Sequence, residues 1–198
     1  KATGRALDAG GSNGNSLYMY PNPINGNSYH QWNLNLPHSG TGESPLHSNP
    51  TEANPLRGFS HPLGGKGTLT QGWKTAFSHK GNSAYAMDFD HYFGAPVYAM
   101  RSGKIISVVE SYEDNGRNDS SLANKANYVF IEHDNGYVSR YLHLKKNSVP
   151  VQVGDYVNAG QKIGEQGHSG WSTASHLHVA VHKGSISVPF TIPGVNPY

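Results

Sequence analysis

From Leu56 onward the chain alternates apolar and polar residues in short runs bounded by glycine, proline and asparagine. Tyr137-Val138-Ser139-Arg140-Tyr141-Leu142 is one such run, and Tyr128-Val129-Phe130-Ile131-Glu132 is another. A period of two sends every second side chain to one face of a sheet. β-Branched and aromatic residues dominate these runs, as a pleated and half-buried surface requires. The pattern predicts strands over 97–100, 104–109, 128–132, 137–142, 156–157, 162–164 and 176–182. Asn135-Gly136 between two of them is a hairpin signal. No stretch repeats its apolar residues at the helical period. The expected fold is therefore all-β, with an antiparallel two-sheet core. Asp114 to Asn127 is polar and long, and long loops in compact domains are often functional.

The first part of the chain reads differently. Short strands around 5–9, 16–20 and 30–34 are separated by Asn/Gly turns. Leu7-Asp8-Ala9-Gly10-Gly11, Gly14-Asn15-Ser16-Leu17-Tyr18-Met19-Tyr20 and Tyr29-His30-Gln31-Trp32-Asn33-Leu34 carry them. Residues 1–36 resemble one repeat of a ricin-type β-trefoil lectin, with His30 standing where the Gln of the closing Gln-x-Trp belongs. The resemblance implies sugar contacts from Asp8 and Tyr20, and so a cell-wall glycan partner through residues 4–34. A trefoil needs three such repeats, and one is present. Residues 37–56 are rich in Ser, Asn, Pro and Glu without apolar periodicity, which is the composition of a linker. His38 and His47 fall there and receive no role. The expected organisation is a partial lectin-like repeat at 1–36, a linker at 37–56 and one domain at 57–198.

Composition narrows the function classes. No run approaches the ~18 apolar residues of a membrane span. Cysteine is absent, so disulfides and thiolate metal sites are excluded. The formal charge of +2 and the lack of a Lys/Arg block give no nucleic-acid footprint. Lys1-Ala2-Thr3-Gly4 opens in polar sequence, as a mature secreted protein or a cytosolic one would. Twelve histidines are the outlier.

Two of these histidines, His176 and His178, lie two residues apart in Ser172-Thr173-Ala174-Ser175-His176-Leu177-His178. On a strand they share a face, where a metal ligand beside a proton-transfer group would explain the pair. Three further motifs accompany them. The first is Ser78-His79-Lys80-Gly81 followed by Ala86-Met87-Asp88-Phe89. The second is Gly94-Ala95-Pro96-Val97-Tyr98-Ala99 followed by Gly103-Lys104-Ile105. The third is Tyr141-Leu142-His143-Leu144, and Gly160-Gln161-Lys162-Ile163-Gly164 leads into the histidine pair. In this order and spacing, residues 59 to 185 resemble the lysostaphin-type zinc endopeptidases, the M23 peptidase family.

That resemblance implies zinc ligands at His79, Asp88 and His178, and catalytic histidines at His143 and His176. It departs from the family between the first two ligands. The usual His-x-x-x-Asp is His-x8-Asp here, with residues 82–86 as an inserted loop. Asp90 is the rival carboxylate, since it shares a strand face with Asp88, and the spacing to Gly94 favours Asp88. Ala174-Ser175 also stands where Gly-Pro or Ala-Pro is usual. Two His and one Asp with an open fourth position form a catalytic rather than a structural zinc set. Zinc there acidifies water and polarises a carbonyl, while neutral imidazoles suit proton transfer near pH 7. No Gly-x-Ser-x-Gly element or phosphate-cradling glycine motif competes.

His133, at a strand end, reads as structural, as do His61, His91, His168 and His182. Trp73, Tyr85 and Trp171 are candidates for lining a substrate groove. The expectation is a secreted zinc endopeptidase with one Zn2+ per chain. It would cut peptidoglycan peptide cross-bridges next to glycine, in a narrow zinc-floored groove walled by loops 74–86, 111–127 and 165–175. An elastin-like substrate for the same chemistry, or a non-catalytic cell-wall or glycan-binding module, are the alternatives.

Overall fold

The computed structural model describes residues 43–198. The lectin-like segment, with Asp8, Tyr20 and His30, lies outside the described residues, as do the first residues of the expected linker, His38 among them. Among the described residues the fold is all-β, and no helix is long and apolar enough to cross a membrane. Its ten strands are β1 (Thr68–Gln71), β2 (Met87–Asp90), β3 (Pro96–Tyr98), β4 (Gly103–Val109) and β5 (Tyr128–Glu132), then β6 (Tyr137–Leu142), β7 (Tyr156–Val157), β8 (Lys162–Glu165), β9 (Leu177–Lys183) and β10 (Ile186–Ser187). Eight of them form one antiparallel sheet in the order β1-β2-β9-β6-β5-β4-β7, with β10 beside β9. β3 and β8 pair separately.

The alternation read from the sequence is visible in the strands. In β6 the odd positions Tyr137, Ser139 and Tyr141 are buried and the even ones less so. β9 differs: from Val179 to His182 it is buried continuously. It lies between β2 and β6, so both of its edges are paired. The hairpin between β5 and β6 turns on Asn135 (φ 55°) and Gly136 (φ 63°), two consecutive positive angles that favour the Asn-Gly pair. The core between the large sheet and the β3–β8 pair is filled by Phe59, Phe89, Val97, Met100, Ile105, Ile131, Tyr141 and Phe190.

Residues 43–56, expected as part of a linker, are packed onto this sheet. Leu56 is fully buried, and its N–H and C=O bond Pro189 O and Thr191 N. Leu46 is buried, donates its N–H to Asp134 and accepts from Asn135 Nδ2. Glu43 accepts from Ser102 N and Oγ and lies 3.6 Å from the buried Arg101, which also donates to Ser44 O at 2.7 Å. A polar composition hid this docking because most of it runs through backbone groups and one buried guanidinium. Starting the chain at residue 57 strips Glu43 and Ser44 from that guanidinium, leaving Asp134 at 3.4 Å, and deletes the buried side chains of Leu46 and Leu56. Such a chain should lose about 3–5 kcal/mol or more relative to one starting at residue 43, the scale of emptied core positions. Urea melts of the two check this, and equal midpoints would show the strap to be passive.

His133 is buried, as its structural reading requires. Its Nδ1 donates to Ser102 O at 2.8 Å, and Nε2 lies 2.9 Å from Ser139 Oγ. Ser139 Oγ in turn lies 3.2 Å from Tyr141 Oη, which accepts the Met100 N–H. Burial pushes the His133 pKa down to about 4, so the folded state binds its proton later than the unfolded chain does. Its contribution to stability is complete above pH 6.5 and is lost as the pH falls towards 4. The full effect is on the order of 3 kcal/mol. His133→Asn keeps the donor to Ser102 and removes the titration, so its stability should fall less steeply than that of the parent over this window. Parallel curves would rule the assignment out.

Candidate active site

The site begins with strand register. Asp88 of β2 lies opposite His178 of β9, and His178 lies opposite Leu142, the last residue of β6. Directly opposed residues share a face, so Asp88 and His178 meet: His178 Nδ1 is 2.8 Å from Asp88 Oδ1. His176 stands one residue ahead of β9, and its Nε2 is 3.8 Å from Asp88 Oδ2. His143 follows β6 with its backbone in the left-handed region (φ 62°). The rings of His143 and His176 are 4.6 Å apart, centre to centre.

His79 comes from the loop after β1. It is fully buried, and its Nδ1 donates to Gly72 O at 2.6 Å. That bond fixes the tautomer and leaves a lone pair on Nε2. Nε2 lies 3.2 Å from Asp88 Oδ1 but has no hydrogen-bond partner. A lone pair facing a carboxylate oxygen is repulsive unless a cation stands between them. The ligand atoms of His79, Asp88 and His178 lie within 4.8 Å of one another. The donor set of two imidazoles and one carboxylate, together with the orphaned Nε2, fits zinc. Burial opposes ionisation of Asp88, but the imidazole of His178, first among the neighbouring groups, outweighs it and the carboxyl is held well below the usual carboxylate range. Asp90, the rival ligand, is not in this cluster.

His143 and His176 stand beside the set rather than in it. Their Nδ1 atoms bond backbone carbonyls, Ser169 O at 2.7 Å and Ala174 O at 2.9 Å. Each Nε2 is therefore left with a lone pair. Burial, and then the neighbouring His176 and His178, push the His143 pKa down. Burial likewise lowers that of His176 despite the pull of Asp88. Both rings are neutral near pH 7 and able to accept a proton.

A groove of about 770 Å³ opens over these residues. Phe77, Ser78 and Ser83 line it from the first expected wall, Asn118 from the second, and Trp171 to Ser175 from the third. The second and third loops are tied together. Trp171 Nε1 donates to Asn118 Oδ1, and Gly116 N donates to His168 O. The inserted residues 82–86 form a short turn beginning at Gly81, so the longer spacing still returns Asp88 to His79.

Of the aromatic candidates, Trp171 lines the groove and is half exposed. Trp73 and Tyr85 do not line it. Trp73 is buried edge-on between Tyr85 and Tyr198, and Tyr85 Oη bonds Glu52. Three contributors escaped the sequence reading. Phe77 is 72% exposed in the groove; a lone phenylalanine in a polar loop was the available signal. Gly72 supplies the carbonyl that orients His79. Asn127 is fully buried and joins the long loop to the end of β6, bonding Tyr112, Leu144 O and Ser169 Oγ. Nothing periodic marks the last two. His61, His91, His168 and His182 do not line the groove.

Known proteins match over this region. The sequence profile of peptidase family M23 matches residues 82–189, which takes in Asp88, His143, His176 and His178 but begins after His79. Lysostaphin from Staphylococcus simulans is 43% identical over 98 residues, 50% of this chain and 18% of that protein. The peptidoglycan DD-endopeptidase ShyB from Vibrio cholerae is 42% identical over 94 residues, 48% of this chain and 19% of its own. The match thus spans under a fifth of either relative. A zinc containing peptidase from Vibrio cholerae superposes with a TM-score of 0.51 at 29% identity, covering 70% of this chain and 44% of that one.

The orientation of His79 depends on the carboxyl-terminal residues. Trp73 N donates to Pro197 O at 2.7 Å, and a Cβ on Gly72 would stand 2.3 Å from that same oxygen. Gly72→Ala must therefore displace the carbonyl that holds His79. Zinc affinity should fall about 10- to 100-fold, read by competition with a chromophoric chelator. Unchanged affinity would show that the Gly72 carbonyl is not what positions His79.

Proposed function

The chain belongs to peptidase family M23, and we propose that it is a secreted zinc endopeptidase that cuts bacterial peptidoglycan cross-bridges beside glycine. The observation that carries this reading is the division of labour among five side chains. His79, Asp88 and His178 form a metal-binding set with one nitrogen left unpartnered. His143 and His176 stand next to it, each with a free Nε2. Loss of any of these groups would favour a non-catalytic relative, and all five are present.

A zinc ion held by His79, Asp88 and His178 would supply Lewis acidity for the scissile carbonyl and for water near neutral pH. The chain's own residues do the rest. Asp88, kept ionised, lies 2.8 Å from His178 Nδ1, so the two stand together as donors for the ion. Gly72 fixes the His79 ring. The paired neutral imidazoles of His143 and His176 offer one Nε2 to take a proton from water and one to donate to the developing oxyanion or the leaving amine once protonated. The Ser169 and Ala174 carbonyls hold the two rings in that tautomer. Peptidoglycan as substrate is supported by the names of the relatives, one a peptidoglycan DD-endopeptidase. Glycine at the cut is supported by the groove, whose lining includes both Trp171 and His176. A residue without Cβ brings its backbone closest to the floor.

The test combines purified peptidoglycan with short peptides carrying Gly, Ala or Leu on either side of the bond, read by mass spectrometry. The zinc-loaded chain should release cross-bridge fragments and cut Gly peptides fastest. Cutting of elastin but not of peptidoglycan would move the substrate to an elastin-like matrix. His143→Ala and His176→Ala should each retain zinc and lose on the order of 10²-fold or more in kcat. Loss of zinc in either would make that residue a ligand.

A further inference from the structure

Asp90 is the acidic residue near the metal set that the site does not use. It lies two residues beyond Asp88 on β2, so its side chain emerges on the same face. It is exposed and lines the groove. Its carboxylate makes no hydrogen bond and no ion pair among the described residues, whereas that of Asp88 is surrounded by His79, His176 and His178. The groove lining contains no Lys or Arg. Besides Asp88 and the three histidines, its lining is hydroxyl and amide side chains, Leu142, Ala174 and the exposed rings of Phe77 and Trp171, whose faces attract cations. The histidines and the ion they would hold belong to the Asp88 end, so the free carboxylate of Asp90 and the two exposed rings are the features of the groove suited to a cation.

We infer that Asp90 is a specificity-determining residue that receives a primary ammonium group of the substrate peptide. The inference rests on the peptidase reading and narrows it to peptides carrying an amine close to the cut. Two residues along a strand span roughly 6.6 Å. An ammonium group meeting Asp90 while the scissile carbonyl lies over Asp88 therefore belongs to a residue within about two positions of the cleaved bond. A lysine-type side chain, or a free amino terminus at that distance, meets the requirement.

The experiment uses the full zinc-loaded chain and glycine-rich peptides with one lysine placed one or two positions before or after the bond. Each peptide is prepared with its ε-amine free and with it acetylated. At one placement the free amine should raise kcat/KM about two- to fivefold over the acetylated form, the range for a partly solvated ion pair. The advantage should shrink as salt is raised. Asp90→Asn should bring the ratio to near one while keeping its zinc. Asp90→Lys should invert it, so that the acetylated form is cut faster. Equal rates for free and acetylated peptides at every placement would overturn the inference and leave the peptidase reading intact. An Asp90→Asn chain that keeps the parent's ratio, or that loses zinc, would overturn it as well. Failure of the parent to cut any of these peptides, or peptidoglycan, would bring down the peptidase reading and this inference with it.

Discussion

A nitrogen lone pair and a carboxylate oxygen face each other across 3.2 Å in the buried floor of this protein. Everything around them keeps that unfavourable meeting in place. The Gly72 carbonyl forces the His79 proton onto the far side of the ring. The β2–β9 register brings Asp88 and His178 together. Burial removes the water that would otherwise solvate both groups. Such a site is costly to the folded chain until a cation enters it, and binding energy then becomes folding energy.

The frame that bears this cost is β9 and its neighbours. β9 is paired on both edges and buried along much of its length, so the positions of His176 and His178 are set by the most constrained strand of the sheet. The groove walls, by contrast, are loops, yet they are not independent of the frame. Asn127 bonds across from the long loop to Leu144 O and Ser169 Oγ, while Ser169 O holds His143. The wall and the proton-transfer ring thus share one buried amide.

The strands were legible in the sequence because they are periodic, and so was the His176–His178 step; His79, Asp88 and His143 were expected only from the family resemblance. The alternation of 137–142 and the Asn135-Gly136 turn appear as expected, and the two-residue step of His176 and His178 leads to one strand end. The insertion between His79 and Asp88 did not obscure the pair, because a short turn absorbs it. What escaped has no period. The docking of 43–56 runs through backbone groups and Arg101, which composition cannot distinguish from a linker. Trp73 and Tyr85 were candidates for the groove wall, and they pack instead against each other, with Tyr198 also against Trp73. Gly72 and Asn127 act through a carbonyl and an amide whose partners only the fold brings near.

The backbone of His143 sits at φ 62°, a conformation that costs an L-residue on the order of 1 kcal/mol and glycine almost nothing. A drifting lineage freed from the need to cut would therefore gain stability by placing glycine there. The imidazole is kept against the fold's own preference. Among descendants that have abandoned catalysis, this position should be one of the first to relax, and its loss would leave a sturdier protein rather than a damaged one.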